Sequence, residues 1–176
     1  EDMMLNFWIE GDELWCEVKF MQADQGASVE DGRVCVASAC LELHGASGLQ
    51  ANVLRAASSV DGYVLESGDS FSFNAVVGPR TAANGYVEAV NGRGVRVVGG
   101  GVAQVASVMW LAIKDLQGVT VTEKSTYGSR YNQDYVDSSA DAILTDYNAD
   151  TDFAFRNDTD ATLTISVYEE NGYLNC

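Results

Sequence analysis

The stretch VRVVGGGVAQVASVMWLAIKDLQG, Val95 to Gly118, decides the fold. Val95 to Val98 reads as a short apolar strand, Gly99, Gly100 and Gly101 as a turn, and the rest as a helix. Apolar residues recur at Val102, Val105, Ala106, Met109, Ala112, Ile113 and Leu116, the i, i+3, i+4 spacing of a helix with one buried face. Gln104, Ser107, Lys114 and Asp115 fall mostly on the other side. Gly118 is placed to close the helix in a left-handed conformation, and Lys114 sits in the last turn, where a cation complements the helix dipole. The helix start is expected to offer unpaired N–H groups behind a glycine backbone that a ligand can approach. The residue in its first turn is Ala103. A cysteine there would have its thiol pKa lowered by the dipole; alanine has no such chemistry.

Working outward, 176 residues suffice for one domain with a core of its own. Apolar residues make up 47% and charged residues 20%, a globular rather than a disordered composition. No apolar run reaches the 18 or so residues of a spanning helix, so no direct membrane insertion is expected within this chain. Ten Lys plus Arg against 26 Asp plus Glu give a net charge of −16, which repels phosphate backbones and argues against nucleic acid as a partner. Cys16, Cys35, Cys40 and Cys176 allow three disulfide pairings, which the sequence leaves open. Their spacing does not suggest zinc or redox work. The chain starts without Met, as a mature or trimmed protein does.

Leu5 to Phe20 alternates aromatic and branched residues on both sides of Gly11-Asp12, the pattern of a hairpin. Leu49 to Val60 forms a second helix, with Ser47 as its expected N-cap and Gly62 as its stop. Tyr63 to Leu65 and Ser70 to Asn74 read as strands. Gly78-Pro79-Arg80 holds the single proline and marks a fixed corner, and Thr81 to Tyr86 makes one helical turn. After the central helix, strands are expected at Val119 to Thr122, Ala142 to Leu144, Asp152 to Arg156 and Thr162 to Tyr168. The last should lie antiparallel to its predecessor across residues 157–160. Without a regular βαβ alternation this is an α+β fold, a mixed or antiparallel sheet with a buried central helix after the Gly-Gly-Gly turn.

Seven segments occur in a telling order: NVLRAA at 52–57, SGDSFSFN at 67–74, VGPRT at 77–81, NGY at 84–86, GGGVAQVAS at 99–107, DA at 141–142 and DFAFRN at 152–157. Together they resemble the VanW-like family, whose members occur in cell-envelope and exported proteins of mostly Gram-positive bacteria. One of them is encoded with vancomycin-resistance genes. The resemblance covers residues 47–168; residues 1–46 then read as flanking strands packed on that domain, and 169–176 as a C-terminal tail. It implies an extracytoplasmic, secreted or cell-surface protein.

The family pattern usually has a cysteine where this chain has Ala103, and a histidine where it has Tyr127; Gln104, Ser107 and Asp141-Ala142 match. A thiol, a base and a carboxylate would suit nucleophilic catalysis, and two of the three are missing together. A phenol with an ordinary pKa near 10 is a poor base at neutral pH. The resemblance therefore implies a non-catalytic binding or accessory module for a cell-wall peptide or glycan, with no catalytic residues. Its ligand-binding residues would be Asn74, Gly99, Gly100, Gly101, Ala103, Gln104, Tyr127 and Asp141. Two readings stand beside it: a degenerate cysteine-peptidase-like or acyl-transfer enzyme, and a structural or interaction domain with an acidic contact face. No organic cofactor is implied. Asp146, Asn148, Asp150 and Asp152 place oxygen ligands at alternate positions, as the opening of a calcium-binding EF-hand loop does, but the loop's sixth-position glycine and twelfth-position glutamate are absent. An acidic solvated turn is the competing reading. His44, the only histidine, reads as a surface loop residue. The sequence leaves the oligomeric state open.

Overall fold

The computed structural model describes residues 2–10, 13–21, 29–30, 33–91, 94–128 and 135–176, with side chains from residue 34 onward. The chain divides after Val36 into two compact units, residues 1–36 and residues 37–176. In the first, β1 (Asp2–Glu10) and β2 (Glu13–Met21) form an antiparallel ribbon with Leu5 opposite Val18 and Trp8 opposite Trp15. This is the hairpin that the alternation predicts; its expected turn, Gly11-Asp12, lies outside the described residues. A second small ribbon joins β3 (Val29–Glu30) to β4 (Arg33–Val34).

The larger unit starts with β5 (Cys40–Glu42) and α1 (Ser47–Val60). There follow β6 (Tyr63–Leu65), β7 (Ser70–Ser72), α2 (Phe73–Val77) and a 3-10 turn over Ala82–Asn84. Next come β8 (Glu88–Val90), β9 (Arg96–Val98), α3 (Ala103–Ile113) and β10 (Val119–Glu123). The chain closes with β11 (Ala154–Asn157), β12 (Leu163–Ile165), β13 (Tyr168–Glu170) and β14 (Tyr173–Asn175). The strands pair in the orders β10-β11-β7, β12-β6, β13-β14-β5 and β8-β9, and every described pair is antiparallel. The fold is α+β. Residues 169–176, expected as a tail, include a strand paired with β5: Leu174 lies opposite Leu41, and both are buried.

The core forms between α1, α3 and the β10-β11-β7 sheet. Val53, Ala56, Ala57 and Val60 of α1 are buried at helical spacing. Val105, Val108 and Met109 of α3 are inaccessible or nearly so. Phe71 stacks on Phe155 at 4.9 Å between ring centroids and meets Tyr63 edge-on at 5.3 Å. Each such side chain contributes about 1.5–3 kcal/mol by leaving water. Asn157, fully buried, ties the strands at one end: its Nδ2 donates to the carbonyls of Leu65, Glu66 and Ala161, and its Oδ1 accepts from Thr159.

Several local expectations are corrected. Ser47 is the first helical residue of α1, and its N-cap is Ala46, which makes no side-chain cap bond. The strand read over Ser70 to Asn74 stops at Ser72, because Ser72 turns into the N-cap of α2 and accepts from Ala75 N–H at 3.1 Å. Side-chain capping here outcompetes the sheet ladder. The strand read over Thr162 to Tyr168 ends at Ile165 and pairs with β6 rather than β11. The Asp61 carboxylate takes the Ser166 hydroxyl and the Val167 N–H, which pulls the chain out of the ladder. Ala142 to Leu144 contributes only a bridge, Thr126 to Ile143, rather than a strand.

Candidate functional site

The β9 strand feeds the Gly99–Gly101 turn and then α3, as the sequence suggests, but the turn does a different job. Gly99 and Gly101 have φ of +78° and +102°, a region that favours glycine. A Cβ added at Gly99 would lie 2.5 Å from Arg80 Cβ, at Gly100 2.9 Å from the Ala89 carbonyl oxygen, and at Gly101 2.4 Å from Leu49 Cγ. The direction a side chain would take at each glycine is thus filled by the protein's own atoms, so these positions are held to glycine by the packing of Arg80, Ala89 and Leu49. The Asn52 amide locks the turn from α1: it donates to the Gly100 and Val87 carbonyls, both at 3.0 Å, and accepts from Val87 N–H at 2.8 Å. The first turn of α3 is wound tightly. Gln104 N–H reaches the Gly101 carbonyl at 3.0 Å and Val105 N–H the Val102 carbonyl at 3.1 Å, so two of the donors expected to be unpaired are satisfied internally.

Ala103 opens α3 and is half-buried. The polar groups near it hold the fold. Gln104 is buried and grips the His44 backbone in both directions, donating from Nε2 at 3.1 Å and accepting at Oε1 at 3.3 Å. This explains why a glutamine follows Ala103. It also brings the loop of the single histidine to the start of α3, with His44 Nε2 3.5 Å from Glu42 Oε2. Ser107 donates to the Ala103 carbonyl at 2.9 Å and accepts from Ile143 N–H at 2.9 Å, which anchors the segment after Asp141 to the helix. Tyr127 N–H bonds the Ala142 carbonyl, so the family-pattern positions Tyr127 and Asp141-Ala142 are brought together. The Asp141 carboxylate itself accepts from Trp110 Nε1 at 2.7 Å and sits 3.7 Å from Lys114 Nζ. Trp110 is seven residues beyond Ala103, about 10 Å along the helix axis. Lys124 Nζ covers the Trp110 ring at 3.6 Å. Tyr135 buries its hydroxyl beside Ser107 and Tyr127. Burial pushes its pKa well above that of an ordinary phenol, Ser107 works against the rise, and Tyr127 adds to it.

Asn74 belongs to a second constellation, around Asp152 and Thr151, that the sequence pattern does not single out. Asp152 caps α2: it accepts from Asn74 N–H and Phe153 N–H, both at 2.8 Å, and from the Ser72 hydroxyl. Asn74 Nδ2 donates to the Thr151 carbonyl at 3.0 Å. Arg80, from the Gly-Pro-Arg corner, lays its guanidinium between two rings, 5.5 Å from the Phe73 centroid and 5.7 Å from the Tyr147 centroid. Its Nη1 donates to the Gly78 carbonyl at 2.9 Å. Desolvation by burial lowers its pKa, opposed by Tyr86, Asp152, Asp146 and Tyr147. Three buried polar atoms in this region have no hydrogen-bond partner among the described residues: Arg80 Nη2, Tyr86 Oη and Asn74 Oδ1. The signal available in sequence was an arginine fixed behind the only proline, in a chain poor in cations.

In the acidic ladder, Asp146 and Asp152 both engage backbone groups of the protein itself. Asp146 Oδ1 accepts from Asn148 N–H at 3.0 Å and Ala149 N–H at 3.2 Å in a tight turn, while Asp152 is buried and engaged with α2. Among the described residues no three His, Cys, Asp or Glu side chains converge as metal ligands. Cys40 stands opposite Asn175, and Cys176 bonds the Ala39 backbone, so strand alternation sends those two side chains to opposite faces.

Comparison with known proteins gives two matches. Residues 49–176 fit the model of a family described as VanW like protein. An uncharacterized protein of Bacillus subtilis (strain 168), YoaR, is 32% identical over 124 residues, 69% of this chain and 39% of the relative. The chain therefore spans well under two thirds of that relative's length. No solved structure matches.

Proposed function

Because the chain belongs to the VanW-like family, we propose that it acts outside the cytoplasm, at the cell envelope, as a non-catalytic module that binds a cell-wall peptide or glycan. One observation carries this reading: the first turn of α3, where a thiolate would be activated, presents Ala103. The groups around it support the same view. Gln104 is committed to the His44 backbone, Ser107 to the helix and to Ile143, and the Asp141 carboxylate to Trp110. A serine hydroxyl that donates to its own helix and accepts a buried N–H has no base poised to deprotonate it. Among the described residues no helix is long and apolar enough to cross a membrane.

A second reading, a structural or interaction domain, is favoured by the closure of the glycine turn by Leu49, Ala89 and Arg80. Its contact face would be acidic, given the net charge of −16. Sedimentation with purified insoluble peptidoglycan separates the two. A binding module co-sediments, and soluble cell-wall fragments compete it off. A chain that stays in the supernatant at low and moderate salt contradicts the binding reading and leaves the interaction domain.

A further inference from the structure

Arg80 is a half-buried cation whose fork is only half engaged. Nη1 is committed to the Gly78 carbonyl, whereas Nη2 is buried without a partner among the described residues, and Arg80 makes no ion pair there. The acidic groups that face it, Asp152 and Asp146, are engaged elsewhere: Asp152 with Ser72, Asn74 and Phe153, and Asp146 with the turn after it. Tyr86, a core residue at 2% exposure, directs its hydroxyl to the same neighbourhood and also lacks a partner. Buried polar groups in folded proteins are nearly always paired, and a guanidinium and a phenol both left wanting an acceptor mark a place for one. Asn74 Oδ1 wants the opposite, a donor. The Phe73 and Tyr147 rings hold the guanidinium plane between them, and Gly99 gives its stem room to lie flat. Tyr147, the outer ring, is 43% exposed, so the site borders solvent on that side.

We propose that Arg80, Tyr86 and Asn74 form a binding site for the carboxylate of an N-acylated amino acid, such as the C-terminal residue of a peptide. Arginine's planar fork matches a carboxylate as a lysine's point charge does not. The carboxylate accepts from Arg80 Nη2 and the Tyr86 hydroxyl, and the adjacent acylated N–H donates to Asn74 Oδ1. The inference deepens the binding-module reading by naming the chemical class it takes, and it is independent of Ala103.

The test is NMR titration of the intact chain with N-acetylglycine, following the Gly99 amide and the Arg80 side-chain Nε–H. Saturable shifts at both are expected. N-acetylglycinamide, which lacks the charge, should leave them in place, and inorganic phosphate should bind more weakly than the carboxylate. Tyr86→Phe should weaken binding about tenfold without lowering the thermal midpoint, because the hydroxyl it removes has no partner within the fold. Arg80→Lys, which keeps the charge and the packed stem, should weaken it at least as much. The proposal is overturned by an absence of saturable shifts, by equal shifts with N-acetylglycinamide, by tighter binding of phosphate, or by a Tyr86→Phe variant that loses stability while binding normally. Co-sedimentation with peptidoglycan alongside silence at Arg80 would remove this site alone. Binding at Arg80 without co-sedimentation would remove the cell-wall reading and keep the site.

Discussion

Replacing Gly101 by alanine tests whether the glycine turn is a packing device. The position has φ of +102°, and its Cβ would lie 2.4 Å from Leu49 Cγ and 2.5 Å from Leu49 Cδ2. The backbone conformation costs an L residue about 1–2 kcal/mol, and forcing a methyl against the Leu49 side chain about 1–3 kcal/mol more. A total of about 3 kcal/mol corresponds to a fall of roughly 10 °C in melting temperature for a unit of this size. Gly62 supplies the control: its φ is +77°, and nothing lies within 4 Å of an added Cβ, so Gly62→Ala carries the backbone cost alone. Leu49→Ala in the Gly101→Ala background should then recover about 1–2 kcal/mol relative to additivity. Urea unfolding of the four variants, analysed as a double-mutant cycle with the Gly62 control, reads all of this. A Gly101→Ala variant no less stable than Gly62→Ala, or strict additivity with Leu49→Ala, would refute the reasoning and return the turn to the status of an open site.

Three further outcomes follow from named contacts. Asn157→Ala strips the donor from the Leu65, Glu66 and Ala161 carbonyls and the acceptor from Thr159; with the residue fully buried, a loss of roughly 3 kcal/mol in chemical denaturation is expected. Burial raises the pKa of both Tyr135 and Tyr86 above the ordinary phenol value. Their contribution to stability is present in full below the unfolded phenol's pKa of about 10 and is lost as pH rises through the folded values, so thermal midpoints should drop on that alkaline limb. The Tyr135→Phe variant should flatten the limb while leaving the midpoint at neutral pH nearly unchanged. Asp141→Ala leaves Trp110 Nε1 and Lys114 without their carboxylate; a cost of about 1–2 kcal/mol and a shift in tryptophan emission are expected.

Much of the fold was legible because its signals are local. The i, i+3, i+4 spacing of α1 and α3, the glycines that end or precede them, and the alternation of the first ribbon each follow from one stretch of chain. Strand partners were not legible: β12 lies against β6 rather than β11 because Asp61, about a hundred residues away in sequence, caps its end. The short α2 was hidden because Ser72 and Phe73 alternate like a strand, and only the remote Asp152 carboxylate turns them into a helix start. The ordered family segments pointed to α3 and to Tyr127 near Asp141-Ala142, and the bridge from Thr126 to Ile143 does join those segments. What the glycines do was not legible, because a glycine that admits a ligand and one that admits Leu49 look the same in sequence. Arg80 was missed for a related reason: its rings and its unpartnered neighbours come from three separate segments.

The most direct measurement is turnover. The intact chain incubated with purified peptidoglycan and its soluble peptides, with products followed by mass spectrometry, should release no new fragment and form no covalent adduct while remaining bound to the insoluble wall. Release of new peptide or glycan fragments, or a covalent adduct on the chain, would contradict the non-catalytic reading.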